Sequence, residues 1–161
     1  MKRSFDFRKI LIPFLVLILA IIACGGGDSS SSSSSDSDLP SNPVAGSQLN
    51  KYFPKSDGGY DVIHIQEKSG FSEAKLKKGG SEVATLAITD LASNPSARDK
   101  YKSSSKKIAG YPATNSGSKG TAILVGNRYQ VQVRSKDSSF GESDRETWLK
   151  KFNLSGLSKL K

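Results

Sequence analysis

The chain predicts an α+β fold, in which an antiparallel β-sheet of five to six strands carries helices, within a single globular domain over residues 47–161. Three observations lead there. Segments of helical and strand character succeed one another as helix, three strands, helix, two or three strands, helix. That order suits an antiparallel sheet with helices laid on it. Gly126-Asn127 stands between the apolar runs TAILV and RYQVQVRS, a strong hairpin signal. Ser143-x-x-Glu146 before Trp148 and Leu149 reads as a capping box that opens a last helix.

The elements follow in order. Ser47 to Phe53 is a short helical stretch with Leu49, Tyr52 and Phe53 on one face, and Pro54 ends it, because the residue before proline is pushed out of the helical region. After a turn over 55–59, Tyr60–Lys68 is rich in β-branched and aromatic residues. Phe71–Lys78 alternates charged Glu73, Lys75 and Lys77 with Ala74 and Leu76, the period-two mark of a half-buried strand. Gly79-Gly80 supplies the next turn, and Glu82–Leu91 is the most apolar of the three strands and so the central one. Asn94-Pro95 then opens a helix on which Ala97, Tyr101 and Ile108 share a face, weakened by Ser103-Ser104-Ser105. Gly110-Tyr111-Pro112 begins an extended segment. In the hairpin over 119–136, a two-residue turn places Leu124 opposite Tyr129 and Ala122 opposite Val131 on the core side. Ile123 and Val125 then lie on the other face, with a helix as the expected cover. Trp148, Leu149 and Phe152 make the apolar face of the last helix, continued by Leu154, Leu157 and Leu160.

The phrase Gly110-Tyr111-Pro112-Ala113, then Ala122-Ile123-Leu124-Val125, then Arg128-Tyr129-Gln130-Val131-Gln132-Val133 and a closing helix resembles the PsbP-like α/β/α fold. The resemblance is one of layout and covers most of the domain. It implies an accessory or assembly module without a shared catalytic site, although fold alone does not establish function.

The start of the chain carries a different message. Lys2, Arg3, Arg8 and Lys9 precede an apolar run from Ile10 to Ala23. A charged start, a short apolar core and a small-residue processing site make a secretory signal, here residues 1–23. The run is shorter than the ~20 residues a membrane-spanning helix needs, it contains Pro13, and Gly25-Gly26-Gly27 follows it. The plain alternatives are an uncleaved membrane helix or a secreted protein with a free thiol. The tetrapeptide Ile21-Ile22-Ala23-Cys24, followed by Gly25, resembles the lipobox of bacterial lipoprotein precursors. That resemblance implies a diacylglyceryl group on Cys24, the only cysteine, as the site of lipidation. Each buried methylene contributes ~0.8 kcal/mol and two chains give stable anchoring. Glycine rather than aspartate after the cysteine implies the outer rather than the inner membrane, in a host that has both.

Residues 24–46 read as the lipidated cysteine and a flexible linker. Three glycines, Asp28, the serine run 29–35 and Asp36-Ser37-Asp38 offer almost nothing apolar, so ordering entropy goes unopposed. Gly/Ser-rich chain of this length spans about 25 Å on average. A calcium-loop reading of Asp36-Ser37-Asp38 lacks the closing glutamate.

Charge narrows the partners. The chain holds 24 Lys and Arg against 15 Asp and Glu, a formal net charge of +9. The excess in the leader and the deficit in the linker cancel, so the whole of it belongs to the domain. Such a field attracts anionic lipid headgroups, acidic glycans or nucleic acid; nucleic acid is not the expected partner of an exported protein. The binding candidates are Lys100, Lys102, Lys106, Lys107, Arg128 and Arg134, near Tyr101, Tyr111 and Tyr129. A solvated basic surface over a core of rings is the plain alternative.

Catalytic patterns are sparse. His64 is the only histidine, and no Gly-x-Ser-x-Gly elbow accompanies it, so a Ser-His hydrolase has little support. One histidine and a committed cysteine serve zinc poorly. Asp57 with Asp61, and Glu142 with Asp144 and Glu146, would suit acid–base work but also turn and helix-dipole roles. Gly79-Gly80 and Gly117-Ser118-Lys119-Gly120 do not match a phosphate loop. The expectation is therefore a lipid-anchored cell-envelope protein, monomeric and without cofactor. It would act as a non-enzymatic binding or accessory module for an envelope protein or an anionic polymer.

Overall fold

The structure is a computed structural model and describes residue 40 and residues 42–161. The leader, Cys24 and the linker residues before 40 lie outside the described residues.

Seven antiparallel strands form the sheet, more than the five to six expected. β1 (Tyr60–Lys68), β2 (Phe71–Lys78) and β3 (Ser81–Asp90) make one meander; β4 (Lys107–Ile108), β5 (Tyr111–Asn115), β6 (Gly120–Val125) and β7 (Tyr129–Ser135) make another. Their order across the sheet is β1-β2-β3-β7-β6-β5-β4, so the two meanders join along β3 and β7. β4 is the additional strand, formed where the 109–110 turn folds Lys107 and Ile108 back onto Tyr111 and Pro112. Gly79 and Gly80 take φ of 55° and 83° in the β2–β3 turn, the mirror-image turn that matches strand twist.

Alternation decides the two faces. Ala74 and Leu76, Ala84, Leu86 and Ile88, Ile123 and Val125, and Tyr129, Val131 and Val133 all enter the main core. Four short helices serve that sheet: α1 (Gly46–Leu49), α2 (Asp99–Lys102), α3 (Glu142–Lys150) and α4 (Leu154–Leu157). Leu49 of α1, Trp148 and Leu149 of α3, and Leu154 and Leu157 of α4 close the main core, together with Phe53 and Phe152. The second face is divided. Over β6, Leu91, Ala97 and Tyr101 cover Ala122 and Leu124 in a smaller cluster. Over β1, β2, β3 and β7 no described helix lies on it.

Four expectations are corrected. The β6–β7 register places Val125 opposite Tyr129 and Ile123 opposite Val131, so Ile123 and Val125, not Leu124 and Ala122, face the main core. The reason is a three-residue turn: Gly126 and Asn127 both have positive φ, and Arg128 is held outside the ladder by Asp90 at 2.7 Å. The helix begun at Asn94 is two short turns, 95–98 and α2, ending at Lys102. Ile108 has therefore moved to β4 and the main core, away from Ala97 and Tyr101. α3 begins at Glu142 with Gly141 as N-cap, whose N–H donates to Asp144 Oδ2 at 2.8 Å. Ser143 and Glu146 therefore lie inside the helix, and the earlier start puts both Glu142 and Asp144 in its favourable first turn. Lastly, the stretch read as linker is already held at its end: Asn42 C=O accepts from Arg128, Val44 N–H donates to Asp90, and α1 starts at Gly46.

Candidate functional site

The uncovered part of the sheet is the candidate site, and strand register builds it. Directly opposed residues form three rows across β1, β2, β3 and β7: Ile63–Lys75–Thr85–Arg134, Gln66–Glu73–Ala87–Gln132, and Lys68–Phe71–Thr89–Gln130. Neighbours within a row stand about 4.8 Å apart and rows about 6.8 Å apart. A bulge at Ile65, between His64 and Gln66, leaves Ile63 and Ile65 as large exposed apolar side chains, 43% and 47% accessible. A bulge of this kind re-aims side chains and blunts an edge strand.

The middle row dips at Ala87, its smallest side chain. A cup of about 220 Å³ opens there, bounded by Phe71, Glu73, Thr85, Gln132, Arg134 and Lys136. One wall is a polar ladder along β7. Lys100 Nζ donates to Gln130 Oε1 at 2.6 Å, and Tyr101 Oη donates to the same oxygen at 3.1 Å. Gln132 Nε2 donates to Ser116 Oγ at 3.1 Å, and Arg134 Nη2 to Ser116 C=O at 3.0 Å. These bonds fix the amide and guanidinium planes before any ligand arrives, which lowers the ordering cost of binding. Opposite, Lys75 pairs with Glu82 at 2.9 Å, while the side chains of Glu73 and Lys136 have no hydrogen bond or ion pair among the described residues. Lys68, Lys75, Lys77, Lys100, Arg134 and Lys136 outnumber Asp61, Glu73 and Glu82 here, so the face is cationic.

Of the six basic candidates, the fold brings Lys100 and Arg134 together on this face. Lys102 is paired with Asp99 at 2.7 Å within α2. Lys106 lies on the opposite side, paired with Glu142 at 2.6 Å and Glu146 at 2.7 Å of α3. Hydrogen bonds that its ammonium donates to these two carboxylates hold the Lys106 pKa above the ordinary lysine value. Lys107 is exposed on β4. Arg128 is only 5% exposed and its guanidinium lies on the Asp90 carboxylate, a structural position rather than a surface one. Phe71, Glu73, Gln132 and Lys136 were missed by sequence reasoning. Period-two alternation put Glu73 on the solvent side of β2, but the partners across the sheet become visible only once β3 is paired with β7.

The groups considered for catalysis have other occupations. His64 is on the exposed edge strand with its ring edge-on to Phe53, centroids 4.9 Å apart. Asp57 pairs with Lys151 at 3.0 Å. Glu142, Asp144 and Glu146 serve the Lys106 pairs and the α3 cap. Among the described residues no three His, Cys, Asp or Glu side chains are grouped to hold a metal ion, and no helix is long and apolar enough to cross a membrane. Comparison with family models, with curated proteins and with solved structures returned no match.

Proposed function

We propose that this chain is a lipid-anchored protein of the bacterial cell envelope that works as a non-enzymatic binding module, offering the open face of its sheet to an anionic partner. The observation that carries the reading is that face. Across four strands no described helix covers it, and it is cationic and prearranged by the Lys100–Gln130 and Arg134–Ser116 hydrogen bonds. The lipobox-like Ile21-Ile22-Ala23-Cys24 and the Gly/Ser-rich linker support the anchored half of the proposal, and Gly25 favours the outer membrane. Helical segments over both faces of the sheet are compatible with the PsbP-like layout and the accessory role it implies.

The test is titration of the full chain against two anionic probes, phosphatidylglycerol vesicles and polygalacturonate, with phosphatidylcholine vesicles and dextran as neutral counterparts. Binding to at least one anionic probe and to neither neutral one is expected. It should weaken steeply between about 0.1 M and about 1 M salt, where the screening length shrinks from ~10 Å to ~3 Å. Absence of binding to both anionic probes overturns the reading.

A further inference from the structure

We infer that the cup over Ala87 is a subsite for one anionic sugar unit of an acidic polysaccharide, with Arg134 and Lys136 taking the charged group, Glu73 and Gln132 taking hydroxyls, and Phe71 lying against the ring. The inference rests on the anionic-partner reading and goes beyond it by naming the chemistry of the ligand.

The composition of the cup selects that chemistry. Arg134 and Lys136 stand at one end of the cavity and Phe71 at the other, since rows 134–85–75 and 130–89–71 flank the middle row. Arg134 keeps its remaining N–H donors free of the Ser116 carbonyl, and guanidinium recognises carboxylate or phosphate with charge-assisted bonds. Glu73 is the discriminating residue. It lies two strand spacings from Gln132, roughly 9.6 Å, across the Ala87 floor. An ionised carboxylate only accepts hydrogen bonds. A ligand that presented nothing but negative charge would be repelled by Glu73. A sugar that carries one anionic group and several hydroxyls satisfies both ends: its charge meets Arg134 and Lys136, and its hydroxyls donate to Glu73 and to Gln132 Oε1 while accepting from Arg134. Lys68 Nζ lies over the Phe71 ring, 5.1 Å from its centroid, and the remaining apolar surface of the ring suits the C–H face of a pyranose. Because the rows continue past the cup to Lys75, Lys100 and Lys68 along an uncovered surface, the neighbouring units of a polymer find further cations. A flat lipid surface does not reach the floor of a concave site.

The experiment is calorimetric titration of the full chain with polygalacturonate, phosphatidylglycerol vesicles, polyglutamate and dextran, using native protein, Arg134→Gln and Glu73→Gln. Native protein should bind polygalacturonate, bind polyglutamate far less and ignore dextran. Arg134→Gln should weaken polygalacturonate binding about tenfold. Glu73→Gln replaces a carboxylate that has no hydrogen bond or ion pair among the described residues with a neutral amide of the same size; it should leave folding unchanged and weaken binding severalfold. A gain or no change on Glu73→Gln would mean that bulk charge alone attracts the polymer, and the subsite is overturned. Equal binding of polyglutamate overturns the sugar in favour of an acidic polypeptide. Binding of phosphatidylglycerol vesicles alone overturns the subsite and leaves the broader anionic-partner reading standing; binding of no anionic probe ends both.

Discussion

Asp90 accepts four hydrogen bonds on one carboxylate and so joins three parts of the chain, around residues 44, 90 and 128. Oδ1 accepts from Ala92 N–H at 3.0 Å and Arg128 Nε at 2.9 Å, and Oδ2 accepts from Val44 N–H at 2.9 Å and Arg128 Nη2 at 2.7 Å. Burial is the largest single influence on its titration and opposes the charged form. The hydrogen bonds from Arg128, Val44 and Ala92 and the guanidinium charge together outweigh it, so the Asp90 pKa lies below the ordinary 3.8. The sign follows: a depressed carboxylate stabilises the fold fully above its unfolded pKa, and that contribution is lost as pH falls through the lower folded value. Urea unfolding followed between pH 7 and pH 2 should show a fall in stability that sets in below about pH 4. Asp90→Asn should cost about 3–5 kcal/mol at neutral pH, because Arg128 is left buried without its counter-charge, and should flatten that acid limb. An unchanged acid limb in Asp90→Asn would separate the pH dependence from this pair. Arg145 is a second buried cation, and its donors meet only hydroxyls, Thr121 Oγ1 and Ser135 Oγ, each at 2.9 Å. Nothing in the helical pattern of α3 marks Arg145 as an inward residue, since apolar periodicity reports Trp148 and Leu149 and is silent about a cation satisfied by hydroxyls.

At the level of elements, the N-terminal meander was legible because strict alternation along β2 and β-branched residues in β1 and β3 require a half-buried strand whatever else the chain does. The register of β6 and β7 was not. A turn of two residues and a turn of three differ only in whether Arg128 belongs to the strand, and that is settled by Asp90, 38 positions earlier in the chain. A one-residue slip exchanges the faces of a strand, so the error inverted Ile123 and Leu124 together. Gly46 shows a similar dependence. A Cβ there would meet the carbonyl oxygens of Lys68 and Phe71 at 2.5 Å, because α1 is laid against the β1–β2 turn. Gly46→Ala should destabilise by about 1–3 kcal/mol, as overpacking of a tight site does, without change in the slope of urea unfolding. A neutral outcome would show that α1 moves off the turn without loss.

For the whole molecule, the two faces of the sheet have different employments. One is sealed by α1, α3 and α4 around a continuous core; among the described residues the other is covered over β6 and left open over β1, β2, β3 and β7, which leaves the domain a surface to present. Cys24→Ser tests the tethering at this scale. Membrane fractionation should show the native chain in the membrane pellet and the variant in the soluble fraction, with the acyl mass missing from its intact-mass spectrum. A native protein with an unprocessed start or a bare thiol would remove the anchored half of the proposal.

Local chemistry sufficed for the strands of the first meander, for the presence though not the bounds of the helical segments, and for the expectation of a lipid anchor, since alternation, proline positions and a signal followed by Cys24 act over a few neighbouring residues. The candidate surface was decided elsewhere. Phe71, Glu73, Ala87, Gln132 and Arg134 lie on three strands, and only the β3–β7 pairing, a contact between distant parts of the chain, sets them side by side. Long-range pairing is chosen by what the whole core buries, and no local pattern carries that information.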